Sequence, residues 1–106
     1  MPRAERYPIL MSMLYRVEGD QRWREGRTEN ISRSGVLFRA ETGMDRDTAI
    51  EMLLIMPREV AGESAGTAMC RGRIVRSEWG LVDPRPALAA RILDCEPLQP
   101  PDPRRI

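Results

Sequence analysis

The chain has no histidine and no lysine, a single phenylalanine, and two cysteines among 106 residues. Without histidine it lacks the commonest general base and the commonest metal ligand. Cys70 and Cys95 have neither CxxC spacing nor a histidine partner, which argues against a zinc site. They read as buried thiols of a reducing cytosol. No nucleophile–base pair is visible, so an enzyme is not expected. No apolar run approaches the ~20 residues a membrane-spanning helix needs, and no secretory signal precedes the first apolar segment. A cytoplasmic protein without membrane insertion is therefore expected. A large excess of either charge is also missing. Seventeen basic residues face sixteen acidic ones, for a net charge of +1, which argues against a general nucleic-acid binder.

Every basic residue is arginine. Arginine offers a planar fork for phosphates and guanine edges and stacks on rings, although a GC-rich genome produces the same bias. The length fits one domain with a small core.

Taken in order, residues 1–8 form a polar arm carrying Arg3 and Arg6, kept out of regular helix by Pro2 and Pro8. From Ile9 to Val17, Met11, Met13, Tyr15 and Val17 share one face at strand spacing, although the Met and Leu residues would also suit a short helix. Glu18–Gln21 is a turn, and Trp23–Ile31 is the charged return strand of a hairpin. Val36–Ala40 alternates again. Ile50–Met56 is nearly all apolar and ends at Pro57; Asp47 or Thr48 could cap a helix there, but about nine residues is short for one, so a buried strand is expected. Arg58–Gly66 reads as a loop or hairpin tip. Thr67–Glu78 places Ala68, Cys70, Gly72 and Ile74 on one face and Arg71 and Arg73 on the other, with Gly72 marking a bulge or a close packing point. Ala87–Cys95 is the last strand. The tail from Glu96 holds four prolines in eleven residues and reads as extended and partly disordered. Six short strands with turn signals and no strong helix predict an all-β sandwich or barrel over about residues 9–96, with 97–106 as the tail.

Between the second and third strands lies Asn30-Ile31-Ser32-Arg33-Ser34-Gly35. Asn and Ser bond local backbone or a ligand through short polar side chains. Gly35 permits an unusual backbone conformation or the close approach of a ligand. An ordinary polar hairpin turn has the same composition.

Asn30-x-Ser32-x-x-Gly35 resembles the (D/N)xSxxG signature of PilZ domains, bacterial receptors for cyclic di-GMP. The likeness extends along most of the chain: an Arg-bearing arm, Ser34-Gly35-Val36-Leu37-Phe38, Ile55-Met56-Pro57, Arg71-Gly72-Arg73-Ile74-Val75-Arg76 and Ala89-Ala90-Arg91-Ile92 come in similar order and spacing. The resemblance implies a six-stranded antiparallel barrel. It also implies that an RxxxR arm stacks on guanine and pairs with phosphate, while the Asn and Ser of the second motif contact the other guanine. By position Asn30, Ser32 and Gly35 carry over; together with Arg3 and Arg6 of the arm and Arg33 within the motif stretch they are the expected ligand-binding residues, with no catalytic residue and no metal or other cofactor. The arm departs from the pattern. Arg3 and Arg6 are separated by two residues instead of three; Arg6 takes the second arginine's place and Pro2 falls where the first would stand.

Two functional classes follow. One is a cyclic di-GMP receptor module; the other is a PilZ-like adaptor that binds no nucleotide and acts through a protein partner. A nucleic-acid-binding barrel is weaker still, given the near-neutral charge. Asp45, Asp47 and Glu51 lack a complete calcium-loop pattern and read as a solvated acidic turn. Trp23 and Trp79 read as packing residues, and the Arg71, Arg73, Arg76 stripe as a solvated sheet face.

Overall fold

The structure, a computed structural model, describes residues 8–79 and 83–98. Six antiparallel strands close into a barrel: β1 (Ser12–Val17), β2 (Arg24–Ile31), β3 (Gly35–Arg39), β4 (Ala49–Met56), β5 (Gly66–Glu78) and β6 (Ala87–Pro97). Their order around the barrel is β1-β2-β3-β6-β5-β4. The six expected strands are all present, and closure gives every strand a neighbour on both sides.

Alternation places the core. Tyr15, Phe38, Ile50, Met52, Leu54, Ile74 and Leu88 point inward and are essentially unexposed. The Tyr15 and Phe38 rings meet at 5.2 Å between centroids. The Tyr15 hydroxyl accepts from the Glu41 backbone N–H at 2.9 Å, which satisfies the one polar atom on that ring. On β5, Ala68, Cys70, Gly72 and Ile74 are buried while Arg71 and Arg73 are exposed, as the pattern predicts. Val17 breaks the pattern of the first strand: it is 38% exposed at the strand's end, where the barrel no longer covers it.

Several expectations are corrected. The two cysteines are joined in a disulfide. The β5–β6 register sets Cys70 directly opposite Cys95, with Cα atoms 4.0 Å apart, and that pairing has no trace in their sequence spacing. Arg58–Gly66 does connect the antiparallel strands β4 and β5 as a hairpin tip, but it also holds a short helix α1 (Arg58–Ala61) and a single 3-10 turn at Gly62–Ser64. Val60, 3% exposed, packs from α1 onto the core. β6 runs past Cys95 to Pro97, and the Leu98 N–H bonds the Thr67 carbonyl beyond it. Trp23 packs on the surface, with the Arg16 guanidinium 4.2 Å from its ring centre, and Trp79 is 68% exposed. Arg3 and Arg6 of the arm, and most of the proline-rich tail, lie outside the described residues. No helix among the described residues is long and apolar enough to cross a membrane.

Candidate functional site

The stretch from Asn30 to Gly35 is only partly a turn. Asn30 and Ile31 end β2, Gly35 opens β3, and just three residues lie between. Ser32 closes that turn. Its hydroxyl oxygen accepts from the backbone N–H groups of Ser34 at 3.2 Å and Gly35 at 3.1 Å. It also lies 3.3 Å from both the Ser34 hydroxyl and the Gly35 carbonyl. With 3% exposure, Ser32 is a buried fastening for the backbone. Gly35 is not in the left-handed region. It is small for a different reason: a Cβ there would sit 3.0 Å from the Ala90 carbonyl oxygen of the neighbouring strand.

Arg33 turns away from the turn and donates from Nε to the Val60 carbonyl of α1 at 3.0 Å. It lines a separate groove on that side, together with Met56, Val60 and Leu93.

Asn30 faces elsewhere because of a bulge. Thr28 pairs with Phe38, but Asn30 pairs with Leu37, so Glu29 is one residue too many. The extra residue keeps both Thr28 and Ile31 in the core while delivering Asn30 to the outer face. Glu29 itself bonds Arg39 at 2.6 Å. There Asn30 borders a groove of about 300 Å³. Leu37, Val75 and Arg91 form other parts of its wall, and the small residues Gly35 and Ala89 lie among its lining. Val75 is itself the extra residue of a second bulge, between Ile74 and Arg76 on β5. Bulges on both sides thus shape the depression. The Asn30 amide makes no hydrogen bond to any other described residue.

Thr28 is a residue that motif reading passes over. Fully buried, it accepts from the Met11 N–H at 3.0 Å and donates to the Ile9 carbonyl. The segment that leads out of the arm is therefore fastened to β2 two positions from Asn30. A lone threonine between Arg27 and Glu29 in a charged strand was its only signal in the sequence. Arg91 is a second such residue; it belongs to the Ala89-Ala90-Arg91-Ile92 resemblance but had no assigned role.

Of the sequence-predicted residues, the structure brings Asn30, Ser32 and Gly35 to one groove and sends Arg33 to another. The acidic trio does not assemble: Glu51 pairs with Arg16 at 3.0 Å, and no group of metal-binding side chains forms among the described residues. Away from the groove, the Arg71 guanidinium bonds Asp94 and holds its carboxyl below the usual range; Arg85 does the same to Asp83. No family model matches this chain, and no curated protein or solved structure is detectably similar to it.

Proposed function

We propose that this chain is a PilZ-like receptor module that binds cyclic di-GMP in the groove beside Asn30 and serves bacterial second-messenger signalling. The observation that carries the reading is the Asn30 amide. A bulge turns it onto the outer face, at a concave patch, with no partner among the described residues. An amide presents both a donor and an acceptor, as the edge of guanine does. A volume of about 300 Å³ lies at the lower bound of small-molecule sites, so the groove takes part of a dinucleotide. Arg6, from the arm, is the residue that the motif assigns to the remainder. Isothermal titration with cyclic di-GMP tests the reading. Saturable binding that is weakened by Asn30→Ala is expected; no binding at high ligand concentration overturns it.

One observation favours the adaptor reading instead. Leu14, Leu53 and Ile55 line an apolar depression on the outer face of β1 and β4, and Ile55 is 53% exposed. A protein partner would cover such a strip. This reading expects a silent titration.

A further inference from the structure

We propose that Arg73 and Arg91 form a phosphodiester-binding pair at the border of the Asn30 groove. The two stand directly opposite each other on neighbouring strands β5 and β6. Both are exposed, and neither has a carboxylate within ion-pair distance among the described residues. Like charges directly opposite on a sheet repel and destabilise it. Further along the same two strands the chain does the reverse, setting Arg71 opposite Asp94 and bonding them. Arg27 and Arg39 also stand opposite each other, on β2 and β3, but there Arg39 bonds Glu29 at 2.6 Å, whereas the repulsion at Arg73 and Arg91 is met by no carboxylate among the described residues.

Its surroundings suit an anion. Arg91 lines the groove together with Asn30. On its other side, across β3, stands Gly35, which has no side chain to compete for the guanidinium. Arg73 spends one N–H on the Asp47 carbonyl at 3.1 Å, which steadies it and leaves donors over from the five a guanidinium carries. An oxyanion between the two would accept charge-assisted bonds from both and cancel their repulsion. The pair names the contacts for one of the ligand's two phosphodiesters, and so rests on the reading of the groove as a cyclic di-GMP site.

The test titrates the natural protein, Arg73→Gln, Arg91→Gln and Arg91→Glu with cyclic di-GMP and records each ligand-free melting temperature. Each Gln variant is expected to bind roughly tenfold more weakly or worse. Arg91→Glu is expected to melt higher than the natural protein, because it puts opposite charges face to face, and to lose the ligand. Equal affinity in all four proteins would sink the pair and leave the groove reading standing. If the natural protein binds no cyclic di-GMP, the groove reading fails and the pair is judged by thermal shift with cyclic di-AMP and inorganic pyrophosphate. Stabilisation that disappears in Arg91→Glu supports the pair; no stabilisation of the natural protein by either probe overturns it.

Discussion

The Arg33 guanidinium reaches the Val60 carbonyl at 3.0 Å and so ties the turn between β2 and β3 to helix α1. Val60 is buried against the core beside Met56. The signature turn is thus held from two sides: by Ser32 inside it and by Arg33 across to the helix. Its neighbour Asn30 is left facing the groove. One short stretch of sequence therefore divides its labour, with the anchors pointing inward or sideways and one amide pointing outward.

Arg33→Ala removes the tie and leaves the Val60 carbonyl without this donor. A loss of about 1 kcal/mol in unfolding free energy is expected, measured by urea denaturation. Binding in the Asn30 groove should be unaffected, since Arg33 lines a different one. Unchanged stability together with weakened ligand binding would reverse the assignment.

The strands were legible because most of them alternate: Met13 and Tyr15, Val36 and Phe38, Cys70 and Ile74 all fall on the buried face; alternation left a sandwich and a barrel open, and the resemblance alone pointed to the barrel. Registers were not legible. The bulge at Glu29 depends on how β2 pairs with β3, and the Cys70–Cys95 bond depends on how β5 pairs with β6. Both pairings are set across the barrel. Ser32 and Asn30 were found together by their motif, but their different duties follow from that bulge and from the closed turn. Arg91 escaped notice because an exposed arginine on a strand has no signal of its own; only the strand register sets it against Arg73.

Gly72 and Gly35 grade the tightness of the strand contacts. A Cβ on Gly72 would fall 2.5 Å from the Arg91 carbonyl oxygen, a backbone atom that cannot move alone. On Gly35 the corresponding gap to the Ala90 carbonyl is 3.0 Å. Gly72→Ala should cost about 1–3 kcal/mol by overpacking, and Gly35→Ala less. Thermal melts of the two variants check the order; the reverse order would contradict the packing.

The Cys70–Cys95 disulfide closes a sequence separation of 25. Chain entropy for a loop of that length is worth about 3.5 kcal/mol of stability. A Cys70→Ser, Cys95→Ser double variant should melt well below the natural protein under non-reducing conditions. Adding a reductant should destabilise the natural protein and leave the double variant unchanged. Identical melts with and without reductant, with both thiols shown to be free in the reduced sample, would show that the bond contributes nothing.

Tyr15 makes the barrel sensitive to alkali. Burial pushes its phenol above the ordinary value, and the N–H of Glu41, which the phenol oxygen accepts, opposes this only in part. The folded state therefore holds the proton more tightly than the unfolded chain does. That contribution is fully present below the unfolded value of about 10 and is lost as pH rises through the folded value. Unfolding free energy should fall steeply in this range, and Tyr15→Phe should flatten the fall. Tyr15→Phe also forfeits the bond to Glu41, at a cost of about 1 kcal/mol near neutral pH. An equally steep alkaline loss in the variant would assign it to other groups.

Ser32 and Asn30 provide the sharpest test, because motif and geometry say different things about them. The motif treats both as ligand contacts. The geometry gives the Ser32 hydroxyl two backbone N–H donors within the turn and gives the Asn30 amide no bond to a described residue. Ser32→Ala should therefore lower stability by about 1–2 kcal/mol, since it leaves two partly buried N–H groups without their acceptor. Ser32→Thr keeps the hydroxyl and should restore most of that loss. Asn30→Ala, on an outer face with no bond to a described residue to release, should melt within a degree or so of the natural protein, a change well under 0.5 kcal/mol. Its effect should appear in ligand affinity alone, as a loss of about 1 kcal/mol or more. Melting curves and cyclic di-GMP titrations on the three variants give a two-by-two pattern. Stability lost only at Ser32 and affinity lost at Asn30 is the expected result. If Ser32→Ala is as stable as the natural protein, the hydroxyl does not fasten the turn. If Asn30→Ala binds as tightly as the natural protein, the outward amide is not the guanine contact.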